Sequence, residues 1–212
     1  IFTIVGARLG HCLFYEPGYY FSNPIKFLYV WEGGLASHGG AIGILIGLYI
    51  YAKKIDKPYI WILDRIVVPV AIGGAFIRMG NLMNSEIYGQ PTDLPWGFKF
   101  VRDYPIGTPI ENIPACHPTQ IYEALFCVAV FVYLLYAYYK QNMAERRPGF
   151  MFGIFLIVVF GSRILIEFIK NHQVAFEDNM LLDMGQWLSI PFLIAGIYFV
   201  ARSFFKTEKL KN

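Results

Sequence analysis

The feature that most constrains this chain is a series of apolar runs, several of them long enough to cross a bilayer. A helix needs roughly 17–25 mostly apolar residues to span about 30 Å of hydrocarbon. Such runs extend from about Leu35 to Ala52, Ile60 to Met83, Ile121 to Tyr139, Phe150 to Ile169 and Met184 to Phe205, with a shorter one from Ile1 to Tyr15. None alternates with period two over ten residues, which argues against a transmembrane β-barrel. The runs predict an all-α fold: a polytopic transmembrane helix bundle of five whole spans and one partial N-terminal span, forming a single transmembrane domain over residues 1–212. Composition agrees: 56% of the residues are hydrophobic and 16% charged, against about 45–50% and about 25% in soluble domains. A soluble core of this size cannot bury that excess. Low charge and 18% aromatic residues exclude a disordered chain. Three cysteines are too few for a disulfide scaffold. A net charge of +3 without a basic stripe argues against a nucleic-acid partner.

Orientation follows from the Lys/Arg bias of the loops. Lys53, Lys54, Lys57, Lys140, Arg146, Arg147, Arg202, Lys206, Lys209 and Lys211 fall on one side, ten in all, and only Lys26, Lys99, Arg102 and Lys170 on the other. The richer side is expected to be cytoplasmic, which places the loops 17–34 and 87–117 outside, in the periplasm. Residues 17–34 are rich in Tyr, Phe and Trp, rings that suit the headgroup level. The five prolines of residues 87–117 predict an ordered extended loop. No internal repeat is visible, which counts against a transporter built from inverted halves.

Ionisable residues inside a span cost about 2.5–3.5 kcal/mol each on insertion scales and mark functional sites by default. Arg65 lies near a span end and can snorkel, and Asp64 beside it can cap that helix or pair with a neighbour. Arg8, Arg78 and Arg163 need another account. Arg163 and Glu167 stand at i and i+4, on one helix face. They read either as a buried structural pair or as a carboxylate orienting a guanidinium towards an anion, which guanidinium matches bidentately. Arg78 and Asn81 share a face, and Asn84, Glu86 and Gly89 follow where the chain leaves the membrane. That is too polar for a lipid-facing helix end and suggests a pocket lining. His38 opens a run in which Gly39, Gly43 and Gly47 form a close-packing face. It reads as a hydrogen-bonded core residue or as a general base, since its pKa lies near the operating pH. His117-Pro-Thr-Gln-Ile-Tyr122-Glu123 introduces the next span. There Pro118 suits a helix start and Glu123 suits the helix dipole. No metal-ligand spacing, phosphate loop or nucleophile elbow is present. Cys12 and Cys127 read as packing residues, and Cys116 as a free thiol of the outer loop.

Six segments, in order along the chain, resemble the prolipoprotein diacylglyceryl transferase family. They are Gly6-Ala-Arg8-Leu-Gly10 with Phe14-Tyr15; Val30-Trp-Glu32-Gly-Gly34 with Ser37-His38-Gly39-Gly40; Arg78-Met-Gly80-Asn81-Leu-Met-Asn84-Ser-Glu86-Ile-Tyr-Gly89; His117 to Glu123; Arg163-Ile-Leu-Ile-Glu167-Phe; and Met184-Gly185-Gln186-Trp-Leu-Ser189-Ile-Pro191. Ile77 and Leu82 stand where the family signature usually has Gly and Phe, and Val159 where some members place Tyr. The family usually has seven spans. Its first span and part of its second have no counterpart in these residues, so the chain is expected to be N-terminally truncated relative to the family.

The resemblance implies a bacterial inner-membrane enzyme with no cofactor and no metal. Its partners would be phosphatidylglycerol, a preprolipoprotein signal peptide bearing a lipobox cysteine, and the lipid bilayer. The diacylglyceryl group would pass to the cysteine thiol near the periplasmic leaflet, giving a thioether and glycerol 1-phosphate. Arg78 and Arg163 would stabilise the phosphate leaving group, and His38 would take the thiol proton. Arg8, Asn81, Asn84, Glu86, Gly89, Tyr122 and Glu167 would bind substrate, Glu167 by holding Arg163. Two other readings remain open here: a channel or transporter with an intramembrane Arg/Glu pathway, and a lipid-binding structural subunit.

Overall fold

Backbone amides in hydrocarbon have no water to bind, so long apolar runs satisfy them by coiling into helix. The structure, a computed structural model, describes residues 1–170 and 182–208, apart from the side chains of Ser37, His38, Met184 and 206–208. Its helices are α1 (Phe2–Phe14), α2 (Pro17–Ser22), α3 (Ser37–Lys54), α4 (Tyr59–Asn84), α5 (Thr119–Tyr139), α6 (Met143–Arg146), α7 (Phe150–Glu167) and α8 (Met184–Glu208). Four are long and apolar enough to cross a membrane: α4, α5, α7 and the Gly185–Phe205 stretch of α8. Phe76, Leu125, Leu165 and Ile194 on these helices are 61–70% exposed, a display suited to lipid rather than water. α3 is 18 residues long, but its polar start, its four glycines and its Lys53-Lys54 end dilute its apolar character, and it is not among the four. α1 is a shorter apolar helix of 13 residues. The protein is thus mostly helical and multi-pass, with four apolar spans among the described residues.

The chain divides into two compact units, Ile1–Ile62 and Leu63–Asn212. In the first, α1 packs on α3 through facing glycines. A Cβ on Gly10 would lie 2.9 Å from the Gly39 Cα, and one on Gly6 would lie 2.8 Å from the Gly43 Cα. Small residues four apart let two helix backbones touch, which in lipid replaces the missing hydrophobic drive. Between these helices, α2 and two 3-10 turns (Pro24–Leu28 and Val30–Glu32) carry the aromatic segment.

In the second unit, the core gathers Val67 and Ala71 of α4, Val130 and Leu134 of α5, Ala144 of α6, and Phe150 and Met151 of α7. Gly153 of α7 meets Gly196 of α8, each Cβ position lying under 3.0 Å from the other's carbonyl oxygen. Asp64, fully buried on α4, does not cap its own helix. It accepts hydrogen bonds from the Gly149 and Phe152 amides, at 2.6 and 2.8 Å, and so satisfies the free N–H groups at the start of α7. Arg65 beside it pairs with Glu145. The segment between α4 and α5 carries short regular elements. A two-stranded hairpin pairs β1 (Phe98–Lys99) with β2 (Ala115–Cys116), Phe98 opposite Cys116.

Candidate active site

Polar side chains gather in the second unit where α4 ends, α5 begins and α7 ends. The chain leaves α4 through a strained turn. Ser85 and Ile87 adopt φ of 58° and 60°, a left-handed conformation that a β-branched residue rarely takes. Two buried residues of α5's first turn hold it: Gln120 Nε2 donates to the Glu86 carbonyl at 2.6 Å and Thr119 Oγ1 to the Ile87 carbonyl at 2.9 Å. Strain of this kind persists only where surrounding contacts enforce it. Here it turns Glu86 back to accept a hydrogen bond from Asn81 Nδ2 at 3.1 Å.

Four charged groups then form one chain. Arg78 Nε meets Glu123 Oε2 at 2.6 Å, Glu123 Oε1 meets Lys170 Nζ at 3.2 Å, and Lys170 Nζ lies 3.6 Å from Glu167 Oε2. Lys170 is 3% exposed and Glu123 6%. Two cations balance two carboxylates, as burial demands. Arg163 stands outside this balance, and its buried Nε has no hydrogen-bond partner among the described residues. Arg78 and Arg163 nevertheless line one pocket of about 250 Å³ with Glu123 and Cys127. Ile77 and Val159, two of the positions at which the sequence departs from the family pattern, also line it.

The sequence-predicted residues are distributed unevenly. Arg78 and Arg163 come together, with Asn81 3.4 Å from Arg78 Nη1 through its Oδ1. Asn84 and Glu86 are exposed at the end of α4. Glu167 meets Lys170 rather than the Arg163 expected from spacing, and Gly185 closes over it: a Cβ there would lie 2.6 Å from the Glu167 Cδ. Gly89 is a packing point. A Cβ would lie 2.5 Å from the Ile169 carbonyl oxygen and 2.7 Å from the His117 Cβ. Tyr122 faces the segment between α4 and α5, where its hydroxyl accepts from Trp96 Nε1 at 2.8 Å. Arg8, in the first unit, spends its guanidinium on the carbonyls of Lys26, Phe27, Gly33 and Gly34 and lies 5.0 Å from the Tyr20 ring centroid. His38 is the second residue of α3, and its side chain lies outside the described residues.

Glu123 and Lys170 are the site groups that sequence reasoning did not assign. Glu123 was legible as the last residue of its motif, and its helix-start position masked its use. Lys170 looks like one more loop cation, and only its i+3 spacing from Glu167 hints otherwise. Among the described residues no cluster of three or more His, Cys, Asp or Glu could hold a metal ion. Between α4 and α5, burial and the hydrogen bond to Asp103 push the Tyr88 phenol well above its usual range. Burial likewise raises the Cys116 thiol, which makes it a poor nucleophile.

Comparison with known proteins identifies the family. The family model for prolipoprotein diacylglyceryl transferase matches residues 1–202. A phosphatidylglycerol--prolipoprotein diacylglyceryl transferase of Porphyromonas gingivalis is 51% identical over 207 residues, covering 95% of this chain and 73% of that protein. Proteins of the same name from Tolumonas auensis (46% over 196 residues; 92% and 72% covered) and Chloroherpeton thalassium (44% over 202 residues; 95% and 72% covered) are also similar. An intramembrane arginine pair beside a neutral ion chain, in a chain so closely related to these enzymes, leads to one assignment: the protein belongs to the prolipoprotein diacylglyceryl transferase family.

Proposed function

We propose that this protein transfers the diacylglyceryl group of phosphatidylglycerol to the lipobox cysteine of preprolipoproteins, the first step of lipoprotein maturation. The observation that carries the reading from the geometry is the pairing of Arg78 and Arg163 on one pocket, the buried Arg163 Nε making no hydrogen bond among the described residues. In the reaction the thiolate sulfur bonds to the glyceryl carbon and the carbon–oxygen bond to phosphate breaks. The electron pair leaves on the phosphate of glycerol 1-phosphate, which gains a second negative charge. Two guanidiniums placed for that charge stabilise it without reorganising. Arg78 offers its Nη groups, because Glu123 already holds its Nε. The thiol reacts as thiolate, and His38 is the group we assign to take its proton. Asn81, Asn84 and Glu86 line the way for the glycerol head. Gly89 and Tyr122 set the loop and helix that bound it, Glu167 orients the cationic face, and Arg8 holds the aromatic segment that meets the headgroup layer.

The same reading takes the chain as one transmembrane domain of the bacterial cytoplasmic membrane. α1 and α3 are taken to lie in the membrane as well as the four apolar spans, loops 17–34 and 87–117 lie in the periplasm, and the site sits near that leaflet. The lipid enters sideways from the bilayer, and the signal peptide arrives already within it.

The test is transfer by full-length protein in vesicles of phosphatidylglycerol with a lipobox peptide. Thioether-linked diacylglycerol on the peptide and released glycerol phosphate are expected in equal amounts. Ion flux without glycerol phosphate would establish a channel instead. Near wild-type transfer by folded His38→Ala, Arg78→Ala and Arg163→Ala variants would remove the site assignment. Retained activity in His38→Gln alone would reduce His38 to an orienting role.

A further inference from the structure

Glu167 stands one helical turn after Arg163, the spacing at which opposite charges usually pair. It does not take that partner. Its Oε2 lies 3.6 Å from Lys170 Nζ, while the buried Arg163 Nε has no hydrogen-bond partner among the described residues. We infer that Lys170 is a positioning residue of the transfer reaction: its buried ammonium draws Glu167 away from Arg163 and shares Glu123 with Arg78, which leaves Arg163 uncompensated for the lipid phosphate. This rests on the function proposed above.

The fold shows why Lys170 prevails. Its backbone is fixed from both sides: Lys170 N donates to the Glu167 carbonyl at 3.2 Å, Gln90 N donates to the Ile169 carbonyl at 2.9 Å, and Gly89 bridges to Lys170. Gly89 permits that bridge because it has no Cβ to strike the Ile169 carbonyl. The ammonium is then held between two carboxylates, at 3.2 Å from Glu123 and 3.6 Å from Glu167. A buried ammonium keeps its charge only with such partners. Gly185 packs on the other side of the Glu167 carboxylate and limits its swing. Without Lys170, Glu167 would turn one step back along α7 to Arg163, and Glu123 would bind Arg78 undivided. Both guanidiniums would then meet phosphate already neutralised.

The experiment measures kcat and KM for phosphatidylglycerol in mixed micelles with full-length protein, with the thermal midpoint as a control for folding. Lys170→Met is expected to raise KM by about 100-fold, the scale of loss when a binding group is misplaced, with a smaller change in kcat. Lys170→Arg keeps the charge and should keep KM near wild type. The decisive variant is the double Lys170→Met/Glu167→Gln, which removes the ammonium together with the carboxylate it restrains. It should recover most of the lost affinity, whereas a merely structural lysine would leave the double no better than the single. An unchanged KM in Lys170→Met, or a folded double with KM as high as the single, would overturn the inference. If Lys170→Met does not fold, the charge-balanced double decides by the same criterion against wild type. Absence of transfer by wild-type protein would instead defeat the proposed function.

Discussion

Two arginines on apolar helices of this protein, Arg8 buried and Arg163 half-buried, show opposite uses of the same side chain. Arg8 in the first unit is 3% exposed and committed to four backbone carbonyls of the segment 26–34. Arg163 in the second unit has a buried Nε with no hydrogen-bond partner among the described residues, beside a pocket and next to an ion chain already balanced. Both cost the same on insertion and both look equally functional in the sequence. The difference lies in accounting for partners. A guanidinium whose donors are filled by carbonyls is a structural clamp, and one left with donors and charge to spare is built for an anion.

The comparison can be broken first at Arg163. Arg163→Ala should lower transfer by about 10²–10³-fold, as loss of one charge-stabilising donor does, with little change in thermal midpoint. A large loss of stability with proportionate activity would place Arg163 in Arg8's class. Arg8→Met should do the reverse. Each unsatisfied buried carbonyl costs about 1–3 kcal/mol, so proteolysis within 17–34 should accelerate. Arg8→Lys should not rescue it, because an ammonium lacks the planar fork that reaches several carbonyls at once. Gly39→Leu tests the platform beneath Arg8. Its side chain would enter a backbone contact with Gly10, and overpacking of that kind costs about 1–3 kcal/mol, read as a lower thermal midpoint. Asp64→Ala removes the cap of α7 in the second unit and should cost about 1 kcal/mol, with transfer reduced only as far as α7 frays. Lys26→Met is the smallest change. Its ammonium pairs with Glu32 on an exposed surface, while the carbonyl that serves Arg8 is untouched, so neither stability nor proteolysis should move measurably.

Legibility in the sequence followed the range of the interaction. The glycines of α3 predicted a close helix contact because their spacing is local, and the structure places Gly6 and Gly10 against them. Arg78 and Asn81, three apart, were placed together for the same reason. The Arg163–Glu167 pair failed for a non-local one: Lys170 is fixed by Gly89, some eighty residues earlier, and takes the carboxylate. Asp64 likewise caps α7 rather than its own helix.

The sequence by itself determined that this is a helical membrane protein with charged groups where hydrocarbon should forbid them. Apolar run length and the cost of burying charge are properties of a single segment, so they can be read one segment at a time. It also carried, in six ordered motifs, the resemblance that the family match bears out. Only the tertiary structure decided which cation each carboxylate meets. Coulombic pairing in a low-dielectric interior depends on a few ångströms between different helices, and those distances are set by glycine contacts and backbone bridges remote in the chain. That packing leaves Arg8 satisfied by carbonyls and Lys170 shared between two carboxylates, and places Arg163 on the pocket it lines with Arg78.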